Sequence, residues 1–179
     1  HEPIVPPGRT RRLQLARGLR TLVEDPDFPC VGAKSALAHG DLAIEAASNI
    51  SLPHDDRRIH DRLVRWTRLG PVTAGQGFNS FAVVFAGPRD LDEAAFEAAL
   101  WARLSALTAI DRARGHDPAA GFSTDPAHPD FALSFGGRAF FAVGLHPRSS
   151  RPARRAPSPT IVLNPHQQFA RLRAEDRYE

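Results

Sequence analysis

One cysteine, two loop histidines and a run of arginines are the side chains here whose types and placement could do chemistry. Cys30 is the single cysteine among 179 residues and stands in FPCVGAKSAL, with Gly32 leaving room beside it. A helix starting shortly after it would bring backbone N–H donors and a positive dipole end to the sulfur, which favours the thiolate. A Cys-x-Gly loop can ligate haem iron in this way. A free cysteine is also, as a rule, a small buried hydrophobe, and the residues alone favour that second reading. His146 in GLHP and His166 in NPHQQF each follow a strand-like segment, at positions where loops display binding residues. Either imidazole is suited to bind iron, to relay a proton, or simply to hydrogen-bond a turn. Arg148, Arg151, Arg154 and Arg155 cluster in a proline-rich stretch. Guanidinium groups pair with carboxylates or phosphates through two hydrogen bonds, which suits haem propionates, internal ion pairs or a nucleic-acid backbone. No aromatic residue is interleaved with them, so a single-strand stacking platform is disfavoured.

Other polar groups have plainer explanations. His60 lies beside the apolar face of its helix and His128 in a Pro-rich loop; neither has a partner at the i+4 spacing of a helical metal pair. The acids Asp55 and Asp56, and Glu93 and Glu97, fit helix ends and solvated faces, and carry no catalytic assignment. There is no GxSxG, GxxxxGK or GxGxxG.

The elements that must position these groups follow from periodicity. Leu15, Leu19, Leu22 and Val23 recur at helical spacing within residues 10–23, and Pro26 and Pro29 close that helix. AKSALA after Cys30 can start another. Residues 41–48 read as a strand, and residues 54–68 as an amphipathic helix with Ile59, Leu63 and Trp66 on one face. Residues 70–77 are a Gly-rich connection. FNSFAVVFA is a strand closed by Gly87 and Pro88. Asp90 stands three residues before Glu93 in capping-box spacing, and Leu91, Ala95, Phe96, Leu100, Leu104 and Leu107 trace a helical face to about Asp111. A loop covers 115–129. FALSF and AFFAVGL, joined through Gly136, Gly137 and Arg138, form a hairpin. TIVLN is a last strand and HQQFARLRAE a final helix. Helices flanking short strands, with one antiparallel hairpin, predict an α+β fold: a single domain whose mostly antiparallel sheet is flanked by amphipathic helices.

Composition limits the setting. With 42% hydrophobic residues the chain supports one real core. No apolar run reaches the roughly 18–20 residues of a membrane helix, and the opening HEPIVPPGRTRR lacks the apolar block of a secretory signal. One cysteine excludes an internal disulfide and paired-cysteine zinc sites, so a cytoplasmic setting is expected. The chain has no methionine, which suggests a lost initiator or leading segment. The net charge is +3, and Lys34 is the only lysine. That arginine bias points to a GC-rich bacterial gene and weakens any argument that each arginine was placed for nucleic acid.

The ordered segments FPCVGAKSAL, NSFAVVFAGP with DLDEAAFEAALWARL, DPAHPDFALSFGGRAFFAVGLHPRSSRPARR and PTIVLNPHQQFARLR resemble the YqcI/YcgG family from about Phe28 to Arg173. The block from GLHP to ARR is the most specific part. Within the family the chain is similar to haem-dependent guanidine N-hydroxylases, such as the guanitoxin-biosynthesis enzyme. The resemblance implies an oxidoreductase holding haem b. It would use dioxygen and two electrons from an unidentified donor, with arginine or another guanidino compound as substrate. It also moves Cys30 ahead as iron ligand, with His146 its rival. Arg148, Arg151, Arg154 and Arg155 would hold the propionates, Arg154 and Arg155 foremost, while His146 or His166 would deliver protons or orient substrate. Three departures stand out: the family's further C-terminal tail is absent, Ala156 replaces an expected aromatic, and the linker over 75–78 is short. A haem-binding sensor or carrier would share this sequence. A nucleic-acid-associated protein using the basic loop is the remaining, disfavoured alternative.

Overall fold

SFAVVFAG, spanning Ser80–Gly87, is apolar at almost every position, the pattern of a strand covered on both faces rather than one. It is the second strand, β2, of a five-stranded sheet. The structure is a computed structural model and describes residues 8–25, 42–69 and 79–167. In chain order the elements are α1 (Arg9–Glu24), β1 (Leu42–Asn49), α2 (Asp56–Leu69), β2, α3 (Glu93–Ala113), β3 (Leu133–Phe135), β4 (Arg138–Leu145) and β5 (Thr160–Pro165). The strands lie in the order β1-β2-β5-β4-β3.

Alternation along β2 sorts the core into two halves. Phe81, Val83 and Phe85 face Ile59 and Leu63 of α2 and Phe96, Leu104 and Leu107 of α3. Ala82 and Val84 face Leu15, Leu19 and Val23 of α1. Ala156 is buried on that second face, so no aromatic is needed there. The α+β expectation holds. The sheet is mixed: β2–β5, β5–β4 and β4–β3 pair antiparallel, while β1–β2 pairs parallel. A parallel neighbour cannot be reached by a tight turn, and α2 lies in the crossover that brings the chain back.

Local readings are mostly matched. The hairpin turns at Gly136 and Gly137, which both take positive φ, 59° and 79°, the twist that suits a two-residue hairpin. The helix expected after Asp90 is capped two residues later, because the Asp92 carboxylate accepts from the Ala95 N–H at 2.8 Å. The Asp90 carbonyl instead accepts from Arg148. The helix expected after Cys30, the connection over 70–77 and the final helix beyond Gln167 lie outside the described residues.

α3 crosses β4 at Gly144, where an added Cβ would lie 2.7 Å from Phe96 Cε1 and 3.1 Å from Leu100 Cδ2. The missing side chain sets the distance between helix and sheet. Substituting Gly144→Ala is expected to lower unfolding stability by about 1–3 kcal/mol through overpacking, measured by urea denaturation.

Candidate functional site

The sequence candidates fall at opposite ends of the sheet. Leu145 pairs with Thr160 and Phe140 with Pro165, so His146 follows the Leu145 end and His166 the Pro165 end. About six residues of strand, on the order of 20 Å, separate them. They do not share a site. Cys30 lies outside the described residues.

At the first end, His146 is 4% exposed and its ring stacks on Phe96, with centroids 4.2 Å apart. The loop after it is tied down through backbone and side chains alike. The His146 N–H donates to the Arg154 carbonyl, and the Ala156 N–H donates to the His146 carbonyl. Ser150 N–H donates to Glu93 on the first turn of α3 at 2.7 Å. Arg148 donates to the Asp90 carbonyl at 2.9 Å and Arg155 Nε to the Ser149 carbonyl at 2.8 Å. All four clustered arginines are exposed, and two of them, Arg148 and Arg155, fasten the loop through their guanidiniums. Burial pushes His146 below the usual imidazole range; Glu93 opposes this and Arg148 adds to it. The ring is thus neutral at pH 7, and its Nδ1 is buried without a hydrogen-bond partner.

At the other end, His166 lines a cavity of about 560 Å³ with Phe122, Ala119, Gly137, Arg138 and Ala139. Two aromatic rings bracket the imidazole: Phe122 at 4.9 Å between centroids and Phe141, edge-on, at 5.5 Å. Arg138, first residue of β4, brings a guanidinium to the same space. Haem needs apolar walls, an axial donor and cations for its propionates. The alanines and Phe122, the His166 imidazole and Arg138 meet those needs, so the residues fit the group. His146 lines neither this cavity nor the arginine-lined groove beside α2. Among the described residues, no cluster of three or more His, Cys, Asp or Glu is placed to hold a metal ion, and no helix is long and apolar enough to cross a membrane.

A polar centre between α2 and α3 belongs to no sequence motif. The Asp111 carboxylate is 0% exposed and accepts from His60 Nε2 at 2.7 Å, Gly136 N–H at 2.9 Å and Arg112 at 2.8 Å. Arg114 approaches His60 Nδ1 at 2.8 Å and Asp61 at 2.6 Å. A guanidinium only donates, so Nδ1 accepts and the ring proton sits on Nε2, facing the carboxylate. With both nitrogens engaged, His60 is a structural link rather than a ligand. Asp111 stands four residues after Leu107 on the buried face of α3, and an acid at that position was the available signal. Its partners, 51 and 25 residues away in sequence, were not legible.

The same helix pair buries a second charge. Asp56 and Arg103 approach to 3.3 Å with side chains 5% and 8% exposed. Burial pushes the Asp56 carboxyl up to about 6, outweighing the attraction of Arg103, and Asp55 adds to the rise. Burial would raise Asp55 too, yet the Ser48 N–H and hydroxyl, with Arg58, hold it below the usual range.

Both buried acids can be tested through stability. Asp111→Ala is expected to cost about 3–5 kcal/mol, as for a buried charged group removed from its partners. Asp111→Asn keeps an acceptor for His60 and Gly136 and should cost less; equal losses would show that the carboxylate's hydrogen bonds are unimportant. For Asp56, the folded form holds its proton more tightly than the unfolded chain between about pH 4 and pH 6. Its contribution is therefore fully present below about pH 4 and is lost as pH rises through that window, a fall on the order of 1–3 kcal/mol in all. Asp56→Asn should abolish that component in urea denaturation across pH.

Among protein-family models, that of the YqcI/YcgG family matches residues 19–179. No curated protein and no solved structure matches.

Proposed function

The chain belongs to the YqcI/YcgG family, and we propose that it binds haem b in the cavity at His166 and acts as a haem-dependent monooxygenase. The observation that carries this is one space of about 560 Å³ joining apolar walls, a bracketed imidazole and a guanidinium. His166 would hold the iron through its imidazole and Arg138 would neutralise a propionate. Bound haem would supply dioxygen activation, with two electrons and two protons placing one oxygen atom on the substrate and releasing the other as water.

The protein's own contribution would be positioning. Phe122 and Phe141 flank the imidazole, while Ala119 and Ala139 present small apolar side chains to the same space. The propionate role given in sequence to Arg148, Arg151, Arg154 and Arg155 passes in this reading to Arg138, since that cluster sits at the far end of β4. His146, neutral and buried, holds its loop against Phe96. N-hydroxylation of arginine or another guanidino compound is the activity suggested by the subgroup resemblance. No carboxylate lines the His166 cavity among the described residues, so the substrate and the choice of haem both rest on the resemblance, and the geometry supports only where the cofactor would sit.

Titrating purified protein with haem should give a Soret band. His166→Ala is expected to weaken haem binding at least tenfold and to alter the ferrous-CO spectrum, whereas His146→Ala should leave the spectrum unchanged. Absence of a Soret band sinks the proposal. A spectrum that survives His166→Ala but is lost in Cys30→Ser would return the ligand role to Cys30. With arginine, dioxygen and a reductant, a product heavier by one oxygen atom marks an oxygenase; haem binding without product marks a sensor or carrier.

A further inference from the structure

We propose that the groove between α2 and the end of α3 is a binding site for a multiply charged anion of the oligophosphate class, separate from the His166 cavity. Arg58, Arg62, Arg65 and Arg68 follow one another at spacings of four, three and three residues, which puts them along one side of α2. Arg114 reaches the same space from the end of α3, and together they line a cavity of about 720 Å³.

These charges are only partly compensated. Arg58 and Arg62 share Glu45, at 3.1 and 3.8 Å, and Arg58 also meets Asp55 at 3.1 Å. Arg114 pairs with Asp61 at 2.6 Å. Arg65 and Arg68 are exposed and make no ion pair among the described residues. Like charges three or four residues apart on a helix repel, a cost that Glu45 and Asp55 offset at Arg58 and Arg62 and that an anion would offset at Arg65 and Arg68. The helix dipole favours a cation in the last turn and so accounts for Arg68. It does not account for Arg62 and Arg65, or for a fifth guanidinium brought round the cavity by another helix.

The second observation is the floor. His60, 1% exposed, is locked between Asp111 and Arg114. That lock holds the Arg114 guanidinium in place before any ligand arrives, and such preorganisation lowers the cost of binding. The ligand class follows from the lining. Forked guanidinium donors spread along a concave wall match several phosphate oxygens spaced over some ångströms. Asp61, already paired, is the only acid lining the groove among the described residues, and no Phe, Tyr or Trp among them lines it to stack a base. Recognition is therefore of phosphates rather than of nucleobases.

Isothermal titration of the full chain with inorganic tripolyphosphate at physiological salt tests this, and its outcome is independent of haem. Binding is expected in the wild type, with a loss of at least tenfold in the double variant Arg65→Gln/Arg68→Gln. A control pair, Arg151→Gln/Arg154→Gln, should change it less than twofold. Both pairs are exposed, so unchanged thermal melts should show that each variant is folded. No binding by the wild type, or equal losses in the two doubles, overturns the proposal. Duplex DNA that binds through Arg65 and Arg68 while tripolyphosphate does not compete also overturns it, in favour of a nucleic-acid surface.

Discussion

A single buried carboxylate joins the elements that border both candidate sites. Asp111 has no exposed surface, and it takes hydrogen bonds from the helix α2 through His60, from its own helix through Arg112, and from the hairpin turn through Gly136. A carboxylate stripped of water is tolerated only when its oxygens are satisfied. Three donors from three places therefore hold two helices and a turn in fixed relation. Gly136 is pressed into the same contact: a Cβ there would meet Thr67 Oγ1 of α2 at 3.1 Å, and its φ of 59° suits glycine.

Both candidate sites abut this centre. His60 forms the floor of the arginine groove on one side. On the other, Gly137 and Arg138, the residues following Gly136, form part of the wall of the His166 cavity. Asp111 links a residue of the first lining, His60, to Gly136, the chain neighbour of Gly137 in the second.

The arginines divide by what surrounds them rather than by where they cluster in sequence. Arg148 and Arg155 stand in the densest basic run, yet their guanidiniums donate to backbone carbonyls of their own neighbourhood and serve to pack the loop after β4. Arg65 and Arg68, spaced along a helix, are the two arginines lining the groove that make no ion pair among the described residues. Arg103 is buried against Asp56, where it answers a charge that the helix-end reading had placed in solvent. A guanidinium is donor-rich and always charged, so its role is set by the acceptors that the fold brings within reach.

The sequence by itself determined the elements that depend on local physics. Leu15, Leu19 and Val23 recur with the helical period, Phe81, Val83 and Phe85 alternate across a strand, and Gly136-Gly137 supplies the positive φ of a hairpin. The described helices and strands lie within a few residues of where those patterns put them, and the family was readable from ordered segments. What only the tertiary structure decided were pairings between residues distant in the chain: the parallel β1–β2 neighbours, the His60–Asp111 contact, the separation of His146 from His166 and the companionship of His166 with Arg138. Periodicity reports which face of an element is buried. It carries no record of which element lies opposite, and that is fixed by sheet order, register and the closeness that Gly144 allows between α3 and β4.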